Sequence, residues 1–201
     1  VIIEIQDKNE KTIDDFVLTT GIRTISQEGG TFRLNGKPAM LNGTQIMGYR
    51  WPIENMMAWL RCPPNSWVAK EMLMTKKMGC NMLRIHVHGW KEKAIGVNDP
   101  RYSELADQMG IMLIACPPAW IREGDWGQVD FDGYHKYMKQ LQNHPSIVMW
   151  EVSNHPNTFK YNEAYESDLF CEKSYEAVYP YDPSRLISFT SHFWHMHYCN
   201  D

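Results

Sequence analysis

The sequence predicts an α/β fold, about five β/α units of a partial (β/α)8 barrel behind a short β segment, and three observations lead there. From Leu41 onward, apolar strand-like runs alternate with helical stretches, an order that calls for right-handed crossovers and a parallel sheet. The stretches after the strands are long and rich in Trp, His, Tyr and Asn ("HGWKEKAIGVNDP", "PPAWIREGDWGQ", "SNHPNTFKYN", "SHFWHMHYCN"), as in the loops that build the active face of a barrel. No GxGxxG or P-loop follows the first strand of this alternation, so the phosphate-cradling signature of a nucleotide-binding open sheet is missing. An open α/β sheet complete in itself remains the rival architecture.

Taken in order, "VIIEI" and "FVLTTGIRTI" are β-branched runs separated by the polar turn "QDKNEKTIDD", which predicts two strands of a small β domain. In "TFRLNGKPAMLNG" the pair Asn35-Gly36 supplies a hairpin turn and Pro38 stiffens the return. The first barrel strand falls in 41–48, followed by a helix near 66–79 in which Val68, Met72 and Met78 recur at helical spacing and Gly79 closes the end. A strand in 81–88 precedes a helix near 100–110, with Leu105, Ala106 and Met109 on one side. The run 111–118 leads to "DFDGYHKYMKQLQN"; "SIVMWEVSN" leads to a helix near 162–179; 185–191 is the fifth strand. Five strands against a barrel's eight, with residue 201 inside a loop of functional character, predict a longer parent protein. Met72, Met74, Met78, Met82, Met109, Met112 and Met149 are expected to fill the space between barrel and helices.

Composition narrows the function. A net charge of −4 with no Lys/Arg run implies neither nucleic acid nor an anionic membrane surface as partner. The five cysteines, Cys62, Cys80, Cys116, Cys171 and Cys199, are widely spaced and form no CxxC pair, so neither a disulfide framework nor a zinc cage is expected. No apolar stretch has the length of a membrane span. Val1 at the first position is compatible with a removed leader, and a periplasmic or secreted location is one expectation. No cofactor is expected.

The motifs resemble those of glycoside hydrolase family 2, which includes β-galactosidases, β-glucuronidases and β-mannosidases. "TTGIRTI...FRLNGKPAMLNG" is similar to that family's passage from an immunoglobulin-like sandwich into the first barrel strand. "KKMGCNMLRIH" (76–86), "DPRYSELADQMGIMLI" (99–114) and "NHPSIVMW" (143–150) are similar to its second strand, second helix with third strand, and fourth strand. The resemblance covers nearly the whole chain. It implies a barrel that hydrolyses terminal β-linked sugars, with residues 1–27 the last strands of an immunoglobulin-like β-sandwich and 28–201 the first part of the barrel. It also implies an oligosaccharide or glycoside substrate, and further domains of the same parent chain as neighbours. Family members usually end the fourth strand in Asn-Glu, the glutamate being the general acid/base; here Asn154 is kept and His155 stands in the glutamate's place. The family's nucleophile belongs to a seventh strand, past residue 201. Arg84 and Asn154 match family positions, the latter an amide that usually holds the sugar's 2-hydroxyl. Met47, and Ala115 to Pro118, depart from the family pattern.

His155 admits three readings. It can be a working acid, since an imidazole protonates a leaving group near neutral pH; a ligand-binding residue in a barrel that no longer cleaves; or a loop histidine bonded locally. The second reading makes the protein a non-catalytic carbohydrate-binding relative of the same fold. Glu151 is the only carboxylate of the motif. On a regular strand it would share a face with 153 and 155 and lie roughly 13 Å below His155, too deep to serve as the acid. A carboxylate there must be paired, and Arg84 is its expected partner. In the last loop His192, His195, His197 and Cys199 fit no zinc-ligand spacing. The loop reads instead as an aromatic, hydrogen-bonding lip in which Trp194 and His192 are candidate sugar contacts. Trp51, Trp59, Trp90, Trp120 and Trp126 fall in the other long loops.

Overall fold

A computed structural model describes residues 1–46, 64–90, 93–96, 100–116, 131–154 and 164–190. The chain opens with an antiparallel ribbon of β1 (Ile2–Gln6) and β2 (Thr12–Val17). The polar stretch expected to be wholly turn therefore carries four of the six residues of β2, Thr12 to Asp15, and the last residue of β1, Gln6. Thr12 and Ile13 are β-branched, and Asp14 and Asp15 tolerate the ladder because the whole ribbon is exposed. Leu18 still exchanges backbone bonds with Val1, but residues 18–24, expected as strand, lie outside the assigned strands. A three-stranded antiparallel sheet follows, β3 (Ile25–Glu28), β4 (Thr31–Leu34) and β5 (Lys37–Pro38). Its second turn is Asn35-Gly36 with φ of 52° and 73°, the doubly left-handed geometry that the Asn-Gly pair predicts. The expected domain junction at 27/28 lies within β3.

The barrel portion consists of β6 (Gly43–Ile46), α1 (Asn65–Lys77), β7 (Met82–Trp90), β8 (Lys93–Gly96), α2 (Pro100–Met109), β9 (Met112–Cys116), α3 (Phe131–Leu141), β10 (Ile147–Asn154), α4 (Ala164–Val178) and β11 (Leu186–Thr190). The sheet order is β11-β10-β9-β7-β6, every neighbour parallel. Among the described residues, strand order thus follows chain order, with no switch point of the kind that defines a doubly wound sheet. The sheet is the first part of a (β/α)8 barrel. β8 was not anticipated: the far end of β7, Val87 to Trp90, turns back antiparallel onto it, so this loop is a hairpin arm.

One core cluster joins strands to helices. Leu83 and Ile85 of β7, Leu113 and Ala115 of β9, and Ile187 and Phe189 of β11 lie two apart on their strands. They pack on Val68 and Met72 of α1, Tyr102 and Ala106 of α2, Tyr134, Tyr137, Met138 and Leu141 of α3, and Cys171 and Val178 of α4. The period of two sends one set of side chains outward to the helices and leaves the other set, including Arg84 and Ile114, pointing into the barrel. Among the methionines, Met72 fills the core as expected, whereas Met74 and Met78 are exposed; Thr75 takes the third buried position on α1. Both Gly79 and Gly110 close their helices with positive φ, and the amides of Cys80 and Ile111 reach back to Thr75 O and Ala106 O, the Schellman pattern.

β10 departs from a regular ladder twice. Against β9, two residues, Ile147 to Met149, face one step of the partner, Leu113 to Ile114. Against β11, Glu151 to Ser153 face Ser188 to Phe189. Each shift is a bulge that changes the phase of the strand. The first lets Trp150 join the helix-facing core and turns Glu151 inward. The second falls within the stretch 151–155 that was expected to keep one face at 151, 153 and 155; residue 155 lies outside the described residues.

Candidate active site in the barrel mouth

Glu151 is completely buried, and its carboxylate accepts two hydrogen bonds from Arg84, Nε to Oε2 and Nη2 to Oε1, each 2.5 Å. This is the paired arrangement the sequence required of a carboxylate at 151. The two strands are not neighbours: β9 lies between them, so the pair spans the barrel interior. Arg84 donates its remaining terminal nitrogen, Nη1, to Gln45 Oε1 on β6 at 2.8 Å. One fork thus ties three strands. Burial works against the Arg84 charge, but the bonds and the charge of Glu151 more than offset it and hold the guanidinium above its ordinary pKa. Bidentate geometry of this kind is the strongest the two groups can adopt.

Around this pair the other side of β10 is equally fixed. Tyr134 of α3 donates its hydroxyl to Glu151 O at 3.2 Å; burial, with the nearby Cys116 and Glu151, pushes the phenol well above its usual range. That hydroxyl keeps its proton and donates. Trp150 gives its indole Nε1–H to Asp182 at 2.9 Å.

The backbone of Asn154 ends β10, opposite Thr190. Its side chain, together with His155, His192 and Trp194, lies outside the described residues, as do Met47, Pro117, Pro118, His195, His197, Cys199 and the tryptophans at 51, 59, 120 and 126. The structure therefore brings Arg84 to Glu151, and β10 ends at the residue before His155. Sequence reading passed over Gln45, whose contact with Arg84 has no local motif to announce it.

Residues 118–201 match the model described as glycosyl hydrolases family 2, TIM barrel domain. Over that stretch, which is less than half of the chain, the sequence is similar to glycoside hydrolase family 2. Rat β-glucuronidase is 25% identical over 197 residues, an alignment spanning 90% of this chain and 26% of the rat protein. The dog β-glucuronidase is 25% identical over 192 residues, 89% of this chain and 26% of that protein. The chain thus spans about a quarter of the length of the curated relatives it matches. Among solved structures, a β-glucuronidase from Ruminococcus gnavus with a C6-substituted uronic isofagomine superposes with a TM-score of 0.68 at 22% identity, covering 92% of this chain and 30% of that one. Bacteroides uniformis β-glucuronidase 3 gives 0.64 at 19% identity, covering 94% and 23%. These superpositions support the same fold, a partial (β/α)8 barrel. Among the described residues no helix is long and apolar enough to cross a membrane.

Proposed function

We propose that the full-length protein carrying this family 2 chain hydrolyses a terminal β-linked sugar, with His155 in the acid/base position and Arg84 and Asn154 among the groups that shape the sugar site. The observation that supports this reading is the course of β10, a barrel strand held by Glu151–Arg84 and Trp150–Asp182 whose last described residue is Asn154, the residue before His155 in the sequence. A retaining glycosidase needs a proton donor and a nucleophilic carboxyl about 5 to 5.5 Å apart. An imidazole with a pKa near 6.5 can donate at neutral pH. Trp194 and His192 are the further candidate sugar contacts of this reading. Because the rat and dog relatives are β-glucuronidases, β-glucuronides are the first substrates to test.

Residues 1–27 belong, on this reading, to a β-sandwich ahead of the barrel. The β1–β2 ribbon leaves Ile2, Ile3, Ile5, Phe16 and Val17 more than half exposed, and a two-stranded ribbon cannot cover such surface by itself.

Aryl β-glycosides with good and poor leaving groups test the assignment on the full-length protein. Cleavage of both kinds is expected. No cleavage of any, with retained binding of the sugar, would favour the second reading, a carbohydrate-binding relative, which the replacement of glutamate by His155 motivates.

A further inference from the structure

β10 carries Asn154, followed in the chain by His155, yet both of its flanking ladders slip, one beside Ile147 and one beside Glu151. A strand bulged on both sides has no unbroken ladder to set how far it reaches along the barrel axis. Its foot is fixed by side chains instead. Ile147 O accepts two guanidinium bonds, from Arg23 Nη2 and from Arg185 Nε, both 2.8 Å. Arg23 also donates Nε to Pro145 O at 3.0 Å, and Arg185 donates Nη2 to Gln142 O and His144 O at 2.8 and 2.9 Å. Thr20 adds a bond from its hydroxyl to Asn143 O at 2.8 Å. Gly21 lies so close that a Cβ there would stand 2.9 Å from Pro145 Cγ. Asp182 closes the arrangement, pairing with Arg185 while accepting the Trp150 indole.

The two arginines differ in origin. Arg185 precedes β11 and belongs to the barrel, whereas Arg23 comes from the segment ahead of the barrel, between β2 and β3. Its fork bridges the last residue-but-one before β10 and the first residue of β10. Only a planar, multi-donor group can hold two carbonyls in this way; an ammonium has a single centre.

We propose that Arg23 is a positioning residue for the acid/base end of β10: from the pre-barrel segment, its fork sets the height of the strand that ends at Asn154, the residue before His155 in the sequence. This rests on the assignment of β10 as the acid/base strand. The segment ahead of the barrel is then part of the catalytic apparatus, acting through β10 and touching no substrate.

The test compares Arg23→Lys and Arg23→Ala in the full-length protein by amide hydrogen exchange and by hydrolysis of aryl glycosides. Expected is exchange across 147–154 faster by about tenfold or more, with 82–85 of β7 and 112–116 of β9 unchanged. In hydrolysis, kcat should fall for poor leaving groups while KM and the cleavage of activated substrates hold. Equal acceleration in β7, β9 and β10, or none in either variant, overturns the proposal. If Arg23→Ala does not fold, Arg23→Lys carries the same comparison. A wild-type protein that cleaves nothing removes the glycosidase assignment, whereas the exchange pattern still decides whether Arg23 holds β10.

Discussion

At the scale of single residues, the Arg84–Glu151 pair is the feature whose removal is easiest to foresee. Both partners are largely or wholly out of water, so deleting one leaves the other charge uncompensated, a loss of roughly 3–5 kcal/mol. Glu151→Leu and Arg84→Met should each lower the urea midpoint strongly, and the double substitution should recover much of the loss. A double variant as unstable as the sum of the singles would contradict the account. Two other carboxylates set the acid limit. Burial raises the Asp107 carboxyl, but hydrogen bonds from His144 and Ser146 more than offset that and leave it below its ordinary value. Burial likewise works against Asp182, and its bonds with Ser184, Trp150 and Arg185 overcome it. Groups depressed in the folded state contribute stability that is complete above their unfolded pKa, near 4, and is lost as pH falls through the lower folded values. Stability measured by denaturant titration should therefore drop below about pH 4, and Asp107→Asn should flatten that drop.

At the scale of elements, the helices were legible because glycine, spacing and apolar period agreed. α2 was expected over 100–110 and runs Pro100–Met109; α1 was expected over 66–79 and runs Asn65–Lys77. Gly79 has φ of 75° with nothing near a would-be Cβ, so Gly79→Ala should cost about 1 kcal/mol through backbone conformation alone. Thermal unfolding measures that directly. What escaped the sequence was register. Neither bulge of β10 has a glycine or proline to mark it, since "IVMWEVS" reads as one apolar run. Where Trp150 and Glu151 point is decided by partners far along the chain, Asp182 and Arg84. β8 was hidden for a related reason: "KAIG" is short, and its pairing depends on β7 extending past the barrel. Trp150→Phe, which keeps the ring but removes the bond to Asp182, should destabilise by about 1–2 kcal/mol.

At the scale of the whole molecule, the order β6, β7, β9, β10, β11 with all helices on one core is what the sequence pattern of strands, helices and aromatic loops foretold. The expected Arg84 to Glu151 contact was legible from chemistry alone, because an inward carboxylate needs a cation. The clamp by Arg23 was not, since it joins carbonyls 122 and 124 residues away along the chain, and backbone acceptors leave no signature in side-chain identity. We propose His155, the residue after Asn154 in the sequence, as the proton donor of a glycosidase. The most direct test of this proposal is the leaving-group dependence of hydrolysis by the full-length protein and its His155→Ala variant. The account predicts that the variant loses about 10² to 10⁴ in rate on poor leaving groups and little on activated ones. Equal rates for variant and wild type across the whole series would contradict it.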